Sequence, residues 1–310
     1  MSLSDAASSA ARAHRLRRHV SFLAYDNFRY LKIALAAVAV AIVLYVAVPP
    51  YGSRYGGGWA GYTLGTVGAL LILWLTWFGY RKRTYDPEGK YVRPHAAADE
   101  MRQVEDPSRL ARRLSAHVYL GLALLAIATL HTGFHFGWNV HTLAYALMCI
   151  VIASGIYGVV AYARYPRQMT DNRQNMTLAQ MQAQVTAIDS ELRRRVMPMD
   201  DAMATIIRDS LDHTPIGGSM WRQVSGRYPD CGTARAIARL HALPEVGPGA
   251  IEETWRPLRV KLDEKAAVVA RLRRDIRLKA LMDIWLYLHI PLTFALLAAL
   301  IAHIVSVFYF

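Results

Sequence analysis

Cysteine is scarce in this sequence. Cys149 and Cys231 are the only two in 310 residues, and they form no CxxC pair. Two thiols are too few for an iron–sulfur cluster, which usually takes four thiolates, and they exclude a disulfide framework. Cys149 falls in an apolar run and reads as a small core residue. Nucleotide motifs are lacking as well: no GxGxxG follows a strand, and GxxxxGK[ST] does not occur. Gly217–Met220 (GGSM) reads as a turn, not as a phosphate cradle. Acidic residues are few, 23 against 36 Lys and Arg. The long apolar runs lack them apart from Asp283 at one end, which argues against ion or proton passage.

What is there is apolar and basic at once. Hydrophobic residues make up 54% of the chain, yet its net charge is +13. A soluble globule does not combine the two; apolar spans alternating with basic extramembrane segments do. The basic excess therefore asks for membrane lipid rather than nucleic acid as its partner.

Five stretches reach the roughly 20 residues needed to cross a bilayer: 31–49, 62–80, 116–137, 142–163 and 282–308. The expected fold is all-α, a polytopic membrane helical bundle of five transmembrane helices. The first stretch lies too far from the N-terminus, with too little cleavage-site character, for a removable signal peptide. Arg12, Arg15, Arg17, Arg18 and Arg29 precede it. Arg81, Lys82 and Arg83 follow the second span, Arg109, Arg112 and Arg113 precede the third, and Arg164 and Arg167 follow the fourth. The 50–61 loop holds only Arg54, and neither the loop between spans three and four nor the C-terminus holds any Lys or Arg. This bias puts the N-terminus in the cytoplasm and the C-terminus in the periplasm of a bacterial-type inner membrane.

The domain organisation expected is an N-terminal tail with four spans over 1–163, a cytoplasmic helical insertion over 164–281, and the fifth span over 282–310. Within the insertion, MTLAQMQAQVTAIDSELRRR has Thr177 as a cap and apolar residues at helical spacing. A long helix leads into the last span, with Pro257 expected to bend or break its start.

The chemistry lies in the histidines. His289 and His303 bracket an almost wholly apolar stretch, HIPLTFALLAALIAH, and His117 and His131 bracket HVYLGLALLAIATLH. Fourteen residues of helix advance about 21 Å and make nearly four turns, so each pair shares one face. Spans three and five run parallel. His117 and His289 then lie at one depth near the cytoplasm, and His131 and His303 at the other. Two imidazoles from facing helices suit the axial positions of a haem iron. His135 is eighteen residues from His117, again on one face, and is an alternative to His131 or an auxiliary group near a propionate. His141 is assigned to the outer loop. His14, His19, His95, His213 and His241 fall in polar cytoplasmic segments and read as surface residues. Gly61, Gly65, Gly68 and Gly121 let a helix or a flat macrocycle approach. Arg112 and Arg113 suit inner-haem propionates or lipid phosphates.

Those two paired stretches resemble the two-haem membrane core of the ferric reductase and NADPH oxidase superfamily, and more broadly the b-type cytochrome subunits of respiratory complexes. The resemblance covers the spans, about half the chain, and implies two haem b held by His117 with His289 and by His131 with His303. Members of that superfamily usually continue into an FAD and NADPH domain after the last span, whereas this sequence reaches Phe310 there and carries its soluble part as an insertion. The function implied is a transmembrane electron-transfer subunit. Its partners would be other redox subunits: a cytoplasmic flavin or iron–sulfur protein, or a periplasmic electron carrier. A quinol dehydrogenase or quinone reductase is the second reading, with quinone near one haem and His135 or Asp283 exchanging protons. A haem-free transport or structural protein is the third.

Overall fold

The structure, a computed structural model, describes residues 22–48, 58–83, 107–197, 201–242 and 250–309. The N-terminal arginines, Arg54, His14, His19 and His95 fall outside these residues. The fold is all-α, with nine α-helices among the described residues: α1 Arg29–Ala47, α2 Trp59–Arg83, α3 Pro107–Thr132, α4 Val140–Arg173, α5 Leu178–Val196, α6 Asp201–Asp212, α7 Met220–Ser225, α8 Gly232–Ala242 and α9 Ala250–Tyr309. Five of them, α1, α2, α3, α4 and α9, are long and apolar enough to cross a membrane. In hydrocarbon each backbone N–H and C=O must bond within its own segment, so Val- and Ile-rich runs such as IALAAVAVAIVLYVA in α1 are helical despite their modest intrinsic propensity.

The chain divides into two compact units, Met1–Ile156 with His289–Phe310, and Tyr157–Leu288. Both divisions fall inside helices rather than in loops, one within α4 and one within α9. α9 is 60 residues long, about 90 Å of helix, and runs unbroken through Pro257 and Pro291. Pro257 therefore does not break it. Each proline forfeits one intrahelical bond. Beside Pro291, the Thr293 hydroxyl donates to the His289 carbonyl at 2.7 Å.

In the first unit, α1 and α2 both pack on α3. Ile72, Leu124, Met148, Leu296 and Leu300 form a buried cluster drawn from α2, α3, α4 and α9. Ala34, Ala41, Ala60, Ala116 and Ala123 are buried too, the small residues that let membrane helices approach closely. α3 ends at Thr132 rather than continuing to 137. Gly133 and Phe134 adopt left-handed backbone angles, φ 55° and 62°, which terminate the helix.

In the second unit, α5 opens with a capping box: the Thr177 hydroxyl accepts from the Gln180 N–H, and the Gln180 side chain accepts from the Thr177 N–H. Met181, Val185, Ile188 and Leu192 of α5 line a core with Ile207, Ala236, Leu258, Leu262, Val269 and Leu272. Lys265, 1% exposed, pairs with Asp189 at 2.7 Å and donates to the Ser210 carbonyl at 2.6 Å. Arg173 grips Asp275 through two hydrogen bonds, 3.0 and 2.6 Å.

Candidate functional site

All four bracketing histidines lie on helices of the first unit and are half-buried. His131 sits in the last turn of α3. Its Nδ1–H donates to the Gly61 carbonyl on α2 at 2.9 Å. A carbonyl can only accept, so this bond fixes the tautomer and leaves Nε2 with a lone pair. Gly65 makes room for the ring: a Cβ there would stand 2.7 Å from the His131 Cε1.

The ring of His303, on α9, lies 6.0 Å from that of His131, with the planes at 89°. Two imidazole–metal bonds of about 2 Å each, on opposite sides of one ion, bring ring centroids about 6 Å apart. His303 also meets His141 through a hydrogen bond between their Nδ1 atoms. Their centroids are 4.5 Å apart and their planes perpendicular. His141 is thus not a loop residue. It belongs to the first turn of α4, where Asn139 caps the helix by accepting the Thr142 N–H at 2.9 Å.

His289 packs against α4. Its Nδ1 is 2.7 Å from the Ser154 hydroxyl, and that hydroxyl lies 2.7 Å from the Val151 carbonyl, to which it donates. With the serine proton so used, His289 Nδ1–H is the donor, and Nε2 again keeps its lone pair. A Cβ on Gly155 would lie 3.6 Å from the His289 ring, ordinary contact. His117 lies on α3 with its Nδ1 buried. One turn on, a Cβ on Gly121 would meet nothing within 4 Å, so space opens on α3 between the two histidines.

His135 lies elsewhere than its spacing suggests. Because α3 ends at Thr132, His135 belongs to the connecting loop, is exposed, and donates from Nδ1 to the Gly133 carbonyl at 2.7 Å. Helical arithmetic from His117 does not reach it. Arg112 is exposed and Arg113 half-buried near the start of α3. Asp283 is half-buried on α9.

The donor set suits haem. A ligating histidine commonly donates its second ring N–H to a carbonyl or other acceptor, which fixes its tautomer and raises its basicity. His131 and His289 both do so. Among the described residues no three His, Cys, Asp or Glu side chains converge as a metal cage; an axial pair on a porphyrin iron needs only two imidazoles. The partners Gly61, Ser154 and His141 carry no spacing signal of their own, since each is brought to its histidine from another helix.

Outside the spans, charge clusters in the second unit. Arg235 holds the Asp209 carboxyl below the usual carboxylate range through two hydrogen bonds, 3.0 and 2.6 Å. Arg195 and Lys261 do the same for Glu191. Burial pushes the Cys231 thiol up, but the Ala234 N–H, the Arg273 guanidinium and the Thr233 N–H outweigh it and hold the thiol below its ordinary value.

The chain matches no known protein-family profile, no curated protein and no solved structure.

Proposed function

We propose that this chain is the membrane cytochrome b subunit of a larger oxidoreductase complex, carrying electrons across a bacterial-type inner membrane through two bis-histidine b haems. His131 and His303 hold the outer haem, and His117 and His289 the inner one. The observation that supports this most is the His131–His303 pair: two perpendicular rings from separate helices with centroids 6.0 Å apart, a separation at which one iron could lie between them. When bound, haem supplies a reversible one-electron iron couple. The chain's own residues hold it and tune it. The carbonyl of Gly61 and the hydroxyl of Ser154 orient their imidazoles.

The positive-inside bias supports a cytoplasmic N-terminus and a periplasmic C-terminus. The helical unit between spans four and five then lies in the cytoplasm, as a docking surface for a flavin or iron–sulfur protein. The outer haem would meet a periplasmic carrier.

The test is absorption spectroscopy of the full purified chain, oxidised and dithionite-reduced, with pyridine haemochrome quantification. Two b haems per chain with sharp low-spin bands are expected. His131→Ala and His289→Ala should each halve the haem content. A chain expressed with adequate haem supply and showing no Soret band would overturn the proposal.

A further inference from the structure

Three of the four proposed ligands have a partner at Nδ1, each of a different kind. His131 uses the Gly61 carbonyl and His289 the Ser154 hydroxyl. His303 meets a third kind of partner, the Nδ1 of another imidazole, His141. We propose that His141 is the positioning residue for His303: its Nδ1 accepts the Nδ1–H of His303, holding that ring in the tautomer whose Nε2 is free to bind the outer iron. The inference rests on the two-haem reading.

Three features carry it. First, the contact spans 162 residues of sequence and joins the first turn of α4 to the last turns of α9, so it reflects tertiary placement rather than local chain geometry. Second, hydrogen bonds on either side of His141 hold its segment in place. Asn139 accepts from Thr142 through its side chain and from Leu143 through its carbonyl, at 2.9 and 3.1 Å, and the Thr142 hydroxyl accepts from the Gly137 N–H at 3.1 Å. Third, the tautomers are constrained. Of two neutral rings meeting Nδ1 to Nδ1, one donates and one accepts. If His141 donated, His303 would carry its proton on Nε2 and could not ligate through it. The reverse arrangement is the one compatible with ligation. His141 is itself exposed, so its ring is not required to fill a core.

A donated Nδ1–H makes the ligand more basic, which stabilises ferric over ferrous iron. Losing such a partner typically costs 10- to 100-fold in metal affinity. A tenfold loss confined to the ferric state raises a one-electron midpoint potential by about 59 mV.

The experiment compares the full chain with its H141A and H141N variants, purified in detergent. It measures haem per chain, the midpoint potential of each haem and the low-spin EPR signal. Asn places an acceptor oxygen near the position of the histidine Nδ1. H141A is expected to keep two haems, with one potential raised by tens of millivolts and one EPR signal shifted; H141N is expected to lie near wild type. Loss of a haem in H141A with retention in H141N would also support a positioning role. Unchanged potentials and EPR in H141A would overturn it while leaving the two-haem reading intact. Loss of one haem in both variants would make His141 an iron ligand and overturn it as well. A wild-type chain without haem would remove both proposals together.

Discussion

The two units of this chain solve the same problem in opposite solvents. In Tyr157–Leu288 a core of large apolar side chains points inward, and Leu192, Ile207, Leu258, Leu262 and Leu272 are fully buried. In the other unit they point outward: Leu35, Val40, Val43, Trp77, Phe294 and Ile301 are all more than half exposed. Water drives the first arrangement by the hydrophobic effect. Lipid tails are as apolar as leucine and provide no such drive, so the membrane unit relies on alanines, close packing and interhelical hydrogen bonds. The buried polar groups follow suit. The helical insertion buries charges in pairs, Lys265 with Asp189 and Arg173 with Asp275. The spans instead carry half-buried imidazoles and hydroxyls, which cost less to remove from water than charges do.

The contrast is sharpest for leucine. Leu262→Ala should destabilise the insertion by about 3–4 kcal/mol, since the side chain is fully buried and leaves a cavity. Leu35→Ala on the outer face of α1 should change stability by less than about 0.5 kcal/mol. Pulse proteolysis of the full chain in detergent across a urea series measures both; equal effects would break the comparison. Lys265→Met should cost about 3 kcal/mol in the same assay. It removes one member of a buried pair, while Asp189 retains some access to water.

Gly65→Ala tests whether the membrane unit is packed around its histidines. The added methyl meets the His131 ring, and overpacking of this kind costs about 1–3 kcal/mol. Outer-haem content or its EPR signal should change, whereas Gly121→Ala, with open space beside it, should leave His131 undisturbed. The smallest effect is the pH response. Asp209 has a folded-state pKa below its unfolded value because of Arg235. Its contribution is therefore complete above about pH 4, the unfolded carboxylate value, and is lost as pH falls through the lower folded value. Stability of the insertion should show no loss from this group between pH 7 and 5. In Asp209→Asn the acid-induced decline below pH 4 should be shallower, as urea midpoints measured at each pH would show.

How far the spans were legible follows from what marks them. Apolar runs with charge only at their ends marked all five helices. Thr177 with Gln180 marked the start of α5 because a capping box is local chemistry. The long helix leading into the last span was legible as well, though not that it passes Pro257 unbroken. The continuation of α4 past its apolar part to Arg173 was not, because a change of composition is not a change of conformation. The end of α3 was not legible either. Helical periodicity carries His135 onto the face of His117, but the left-handed Gly133 and Phe134 end the helix first.

The sequence by itself determined the all-α membrane class and, through a spacing of fourteen residues repeated in two spans, which histidines share a helix face. Both follow from fixed geometry, the rise and turn of a helix and the thickness of a bilayer. Only the tertiary structure decided what each imidazole touches. Gly61, Ser154 and His141 reach their partners from other helices, across 70, 135 and 162 residues of chain. No periodicity extends across a loop, so these contacts are set by packing alone.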